Sequence, residues 1–489
     1  MKALLSAVVD KFVGRKRQIN LVEERIHIIR YGGSVFQALI NFHGVIGIGK
    51  TMLLLELEKR IRDKGLPCAL VDFAAKVYEF SPLGKAVLLE DIARGFADGA
   101  PPWQPLQQGI PAEEQVQAMQ QLFPQYVTDL TREHDAPAVL LLDTLEKADP
   151  QLLDWLEDQV ISPLIRTDRV LVIVASRSPH RWKRFEVRRR AYQDPLEPFD
   201  EETTQEQLPQ EYDALAADVL RLTHGHPLSN VQVIEGVRKI EQDVGHPLTS
   251  TDFEEHQKRL IQELVDDLIE PQVMEDVSTD IRRAYRVMSL ARQFDVNVLR
   301  RLLTRFVEEP FAGKSAAYFL SVVGNMVKTT LVEWSSARRG YVLDRTIRWM
   351  LALNMKLTAT ERYQEINREL IDLYDEWIDR VPENRSGFII ERLYHGACLQ
   401  GVQGAGAQEI ADQLCDLLKG YMKEYYSVTG KREMPPGLTA LREELSKDDE
   451  LMAFLPRGQE TCLTGIIQEA IDRNYRQSTA ASSGSGGQE

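Results

Sequence analysis

A chain of 489 residues with 43% hydrophobic content is too long for one core, so two to four domains are expected, and a formal charge of −15 excludes a protein that coats nucleic acid indiscriminately. Four cysteines, at 68, 398, 415 and 462, show neither C-x-x-C spacing nor pairing with histidines, which predicts reduced thiols and no zinc site. Met1 to Val9 is too short for a signal peptide and no window reaches the length of a membrane span, so a cytoplasmic protein with no membrane partner is expected.

Phe12-Val13-Gly14-Arg15 leads into Gln18 to Arg30, where Ile19, Leu21, Val22, Ile26 and Ile29 recur at helical spacing. A glycine before a charged residue lets the backbone pass close to a flat ligand, so this is either a helix lead-in or the purine-side wall of a nucleotide pocket. The apolar run Phe36 to Phe42 is followed by Gly44-Val45-Ile46-Gly47-Ile48-Gly49-Lys50-Thr51 and then by the helix former Met52 to Arg60. Strand, G-x-x-x-x-G-K-T, helix is the context of a phosphate-binding loop. Its glycines let successive N–H groups face one anion, and the helix adds the positive end of its dipole. Gly44, Gly47, Ile48, Gly49, Lys50, Thr51 and Met52 are the expected nucleotide contacts, with Lys50 reaching the β- and γ-phosphates and the Thr51 hydroxyl ligating Mg²⁺.

Pro67 to Phe73 reads as a second strand, with helices expected around Leu83 to Phe96 and Ala112 to Arg132 on either side of the Pro-rich link Gly99 to Pro105. Such alternation predicts a parallel sheet covered on both faces. Ala138 to Asp143 is an apolar run ending in an acid, which delivers Asp143 to the sheet's carboxyl edge to hold Mg²⁺ through water. A second acid must orient or deprotonate the attacking water; Thr144 follows Asp143, and Glu146 is the nearest candidate. A fourth strand, Arg169 to Ala175, ends in Ser176-Arg177, which puts a cation where it feels the γ-phosphate. The basic run His180 to Arg190 interleaves aromatics with cations; an edge strand or a subunit-facing surface is favoured over nucleic-acid binding.

Helices are expected from Leu196 onward, with Thr223-His224-Gly225-His226-Pro227-Leu228 as an interhelical turn. Ile281 to Ala291, Val296 to Phe306 and Ser315 to Met326 read as helices, then Leu331 to Trp334 and Gly340 to Leu343 as short strands: three helices and a wing. Arginines at 282, 283, 286, 300, 301 and 305 open a DNA-reading alternative, although a solvated helical face is the commoner meaning of such charges. Beyond Trp349 the chain reads as amphipathic helices, with His395 a packed core residue and the tail from Gln477 disordered.

Taken in order, these motifs over roughly residues 10 to 350 resemble a STAND-type AAA+ ATPase. The resemblance implies an α/β P-loop NTPase core with a parallel sheet over 1–195, a helical lid over 196–272, a winged helix over 273–350, a helical C-terminal domain over 351–476 and a tail over 477–489. It assigns Val13, Gly14 and Arg15 to the adenine side, Pro227 to a G-x-P turn packed on adenine, and Arg177 to a sensor. Glu146 fits a D-T-x-E variant of the Walker B strand. Val342-Leu343-Asp344 stands where such proteins carry M-H-D, so the Asp is kept and the β-phosphate-sensing His is missing. The resemblance further implies an ATP/ADP switch that forms nucleotide-dependent homo-oligomers. With only about ten residues ahead of the ATPase, the effector or sensor partner is expected in trans, and prokaryotic defence or signalling is the family-level role. An origin-recognition-like AAA+ initiator that binds DNA through its winged helix is the alternative, disfavoured by the acidic charge and by Thr144.

Overall fold

The computed structural model describes residues 12–97, 103, 110–425, 437–459 and 461–483, the last helix by its backbone alone from 477. Met1 to Val9 and, apart from Trp103, the link Gly99 to Pro105 lie outside the described residues. The chain divides into two compact units, residues 1–275 and 276–489.

The first unit is built on five parallel strands, β1 Leu39–His43, β2 Cys68–Asp72, β3 Ala138–Asp143, β4 Val170–Ser176 and β5 Ala191–Pro195, in the order β2-β3-β4-β1-β5. Every residue of β3 and β4 is buried, as continuous Val/Leu/Ile runs require when helices cover both faces of a parallel sheet. Helices Lys50–Asp63, Pro82–Phe96 and Ala112–Glu133 supply that cover. The register sets Asp72 opposite Asp143, and His43 opposite Ser176, at the carboxyl edge.

The basic run does not form an edge strand. Residues Phe185–Arg190 are a short helix, and the edge strand β5 begins immediately after it. Three of its cations meet acids: Lys183 bonds Asp154 at 2.5 Å, Arg184 pairs with Asp158, and Arg190 reaches Ile165 O at 2.5 Å and Asp168 at 3.2 Å. Helices Glu201–Gln207, Ala216–Thr223, Pro227–Val244 and Ser250–Leu264 complete the unit.

In the second unit, helices Thr279–Met288, Val296–Phe306 and Ala316–Lys328 precede an antiparallel hairpin, β6 Val332–Ser335 and β7 Gly340–Leu343, to which Phe294 adds a bridge at Tyr341. Asp344 caps the next helix, accepting from Thr346 and Ile347 N–H at 3.0 Å. That helix, Arg345–Thr358, runs unbroken through the domain boundary expected at 350/351. A buried ion cluster ties these segments to the C-terminal helices. Arg292, 1% exposed, meets Glu391 at 2.9 Å and Asp448 at 2.7 Å, and lies 4.0 Å over the Tyr394 ring. Arg348 pairs with Glu450 beside it. His395 is a fully buried core residue bonded to Asn367 at 2.8 Å. The last helix, Thr461–Ser483, extends into the tail expected to be disordered. Among the described residues no helix is long and apolar enough to cross a membrane.

Candidate functional site

β1 ends at His43, and the glycine-rich loop carries the chain from there into helix Lys50–Asp63, with Gly49 as its N-cap in the left-handed region at φ 100°. Every carbonyl of this loop has a donor. Lys50 Nζ donates to Gly44 O at 2.6 Å and Val45 O at 2.9 Å. His226 Nε2 lies 2.8 Å from Ile46 O, and Leu228 N–H donates to Gly47 O at 3.2 Å. Arg15 donates to Ile48 O at 2.6 Å, and Leu53 N–H to Gly49 O at 3.0 Å. With acceptors consumed, what the loop offers a ligand is its N–H groups, the dipole of the following helix and the Lys50 ammonium: an anion site.

Asp143, 2% exposed, stands at the tip of β3 and is hydrogen-bonded by the Thr51 hydroxyl. Burial pushes its carboxyl above the ordinary value, and Asp72 on the neighbouring strand adds to that, while Thr51, the Thr144 N–H at 2.8 Å and Lys50 oppose it. A divalent cation there relieves the same electrostatic cost, so the donor set fits Mg²⁺. Among the described residues no group of three or more His, Cys, Asp or Glu converges to hold a metal. An ion held by Thr51 and Asp143 would therefore take its remaining oxygens from phosphate and water, as Mg²⁺ commonly does.

Past Asp143 the chain turns sharply: Thr144 is left-handed at φ 55°, a strained state for a β-branched residue, and Leu145–Lys147 form one 3-10 turn. The turn carries Glu146 against the tip of β4. There Arg177 Nε lies 3.2 Å from Glu146 Oε1, and the Arg177 N–H donates to Oε2 at 3.3 Å. The second acid and the strand-tip cation, read separately in the sequence, thus meet each other.

Val13 is buried, and Gly14 and Arg15 follow it in successive left-handed conformations, φ 68° and 57°. The Arg15 guanidinium bridges Ile48 O and Glu197 O, at 2.6 Å each, and lies 4.8 Å over the Phe199 ring. Burial lowers its pKa to about 10 against the pull of Glu197 and Asp194. Met52 is half-buried in the first turn of the helix after Thr51. Gly225 is required where it stands: at φ 74°, a Cβ would meet Phe199 O at 2.0 Å. Pro227 opens helix Pro227–Val244, and the hydrogen bonds to the phosphate loop come from its neighbours, His226 and Leu228. His226 is the site residue that sequence reasoning passed over; the G-x-P turn around it was the available signal.

Residues 11–173 match the family model of the AAA ATPase domain. No curated protein sequence matches the chain. Among solved structures, the Cdc6p protein of Pyrobaculum aerophilum is 12% identical with a TM-score of 0.39, covering 74% of this chain and 98% of its own. The ORC1 protein of Aeropyrum pernix, solved in complex with DNA, is 14% identical at a TM-score of 0.37, covering 73% and 96%. The Thermotoga maritima RuvB Holliday junction branch migration motor is 14% identical at 0.36, covering 70% and 95%. The chain has a parallel-sheet α/β P-loop fold of the AAA+ type, with many helices following the core.

Proposed function

We propose that the protein binds ATP and ADP with Mg²⁺ and is a slow ATPase switch of the STAND type, one that assembles in a nucleotide-dependent way and controls a separate effector or sensor protein. Lys50 and the N–H groups of residues 47 to 51 would take the phosphates, and Thr51 and Asp143 would hold Mg²⁺, which when bound neutralises charge on the phosphoryl oxygens. The observation that carries the switch reading is the Glu146–Arg177 pair. The carboxylate suited to orient water is held by the cation suited to sense the γ-phosphate, so turnover waits on their separation, and a site built to wait is a timer more than a motor.

The origin-recognition-like alternative treats residues 279–343 as a DNA reader. Arg301, however, is committed to Glu369 and, at 3.0 Å, to Glu376, and Arg305 to Glu369, which reduces the cationic face of helix Val296–Phe306 and supports a protein partner instead.

The test is calorimetry on nucleotide-stripped protein, followed by single-turnover hydrolysis. Wild type takes up ATP and ADP, and Glu146→Gln lowers single-turnover hydrolysis about 100-fold while leaving ADP affinity within about twofold. No uptake of either nucleotide overturns the reading; unchanged hydrolysis removes Glu146 from it. Salt-dependent duplex binding would restore the DNA alternative.

A further inference from the structure

Three successive carbonyls of the phosphate loop are held by donors from distant parts of the chain: Ile46 O by His226, Gly47 O by the Leu228 N–H and Ile48 O by Arg15. In a trans peptide the carbonyl and the following N–H lie in one plane and point oppositely. Holding those carbonyls therefore aims the N–H groups of Gly47 and Gly49, the groups that must face a phosphate, while the Ile48 N–H between them turns back on Val45 O at 3.4 Å. The His226 side chain is wholly buried, with its Nδ1 accepting from the Ser229 N–H at 3.3 Å and 2.7 Å from Ser229 Oγ. Because an N–H can only donate, Nδ1 is the acceptor nitrogen, and the ring proton sits on Nε2, directed at Ile46 O. Space is as tight as the bonding. A Cβ on Gly47 would come within 2.6 Å of His226 Cε1, so only glycine admits the ring here.

Pro227 has no N–H, and the chain brackets it with a side-chain donor at 226 and a main-chain donor at 228. The Leu228 N–H is one of the orphan donors of the first turn of helix Pro227–Val244. The end of that helix is thus bonded to the loop at two consecutive peptides.

We infer that His226 is a positioning residue for phosphate binding, which locks the N-terminus of helix Pro227–Val244 to the peptide that presents the Gly47 N–H. The inference rests on the nucleotide-binding reading above and adds its coupling device. Displacing the helix disorganises the phosphate nest, and by linkage phosphate binding holds the helix in place. A partner that draws this helix away therefore ejects nucleotide without touching it.

The experiment measures ADP and adenosine affinity by calorimetry for wild type, His226→Ala, His226→Gln and Ser229→Ala, with thermal unfolding as the control for folding. His226→Ala weakens ADP about tenfold and leaves adenosine unchanged; His226→Gln, which keeps a donor at similar reach, recovers most of the loss. Ser229→Ala, which removes the hydroxyl at Nδ1 but keeps the ring and the main-chain N–H that it accepts from, costs about twofold to threefold and carries the test should the alanine variant at 226 not fold. Wild-type ADP affinity in folded His226→Ala, equal loss with glutamine and alanine, or adenosine weakened as much as ADP would overturn the inference while the nucleotide reading stands. Absence of ADP uptake by wild type would sink both.

Discussion

Buried arginines finish differently in the two units. In the first unit, half-buried Arg15 at the phosphate loop ends on two main-chain carbonyls and Arg25, at the amino end of β1, on the Gln37 carbonyl, whereas in residues 276–489 Arg292 and Arg348 end on the carboxylates of Glu391, Asp448 and Glu450. A carbonyl satisfies the hydrogen bonds of a guanidinium but leaves its charge in place; a carboxylate cancels it. Burial accordingly lowers Arg15, while Arg292 and Arg348 are held up in spite of burial by Glu391 and Glu450. One unit keeps a positive field for an anion to enter, and the other spends its charges on joining its own helices.

The largest break in that contrast is Arg292→Ala. It strands Glu391 and Asp448 in the interior and is expected to destabilise the second unit by about 3–5 kcal/mol in urea unfolding, with ADP affinity unchanged. An equal loss of ADP binding would mean that the two charge systems are not separate.

Acid sharpens the comparison. Burial, aided by Lys50 and Arg15, lowers His226 from 6.5 to about 4. Between those values the unfolded chain takes a proton that the folded chain refuses, so the first unit loses up to about 3 kcal/mol as pH falls through that window. Against burial, which would raise it, Arg348 and Arg292 hold the Glu450 carboxyl down from 4.5 to about 2. Its stabilisation is intact above 4.5 and is lost below, again by up to about 3 kcal/mol. Hydrogen exchange across a pH series should therefore show helix Pro227–Val244 losing protection before helix Arg385–Val402; the opposite order would contradict the assignment.

The smallest effect is expected at Arg15. Arg15→Ala should weaken ADP about tenfold, and Arg15→Lys should recover little, because an ammonium cannot span Ile48 O and Glu197 O as the planar guanidinium does. Full recovery by lysine would reduce its role to charge alone.

Much of this was legible without coordinates. Four strands announce themselves as apolar runs; Lys50 and Thr51 open the helix after the glycine-rich loop and Asp143 ends a strand, places that local pattern suffices to mark. Strand β5, Ala-Tyr-Gln-Asp-Pro, has no such run: it is an edge, and its buried Asp194 is tolerated through Arg17, far away in sequence. The basic run before it mimics an edge strand by composition, yet Phe185–Arg190 is a helix, entered from Lys183 and Arg184, which are held by Asp154 and Asp158 of the preceding segments.

Sequence by itself determined the chemistry on offer, a glycine-rich P-loop and an acid at the carboxyl end of a strand in a parallel sheet, because spacing along a strand or helix is a short-range property. Tertiary structure alone decided that Glu146 meets Arg177 and that His226 reaches Ile46 across 180 residues of chain. Such pairings depend on where separate elements come to rest against one another, and nothing in a local period encodes that.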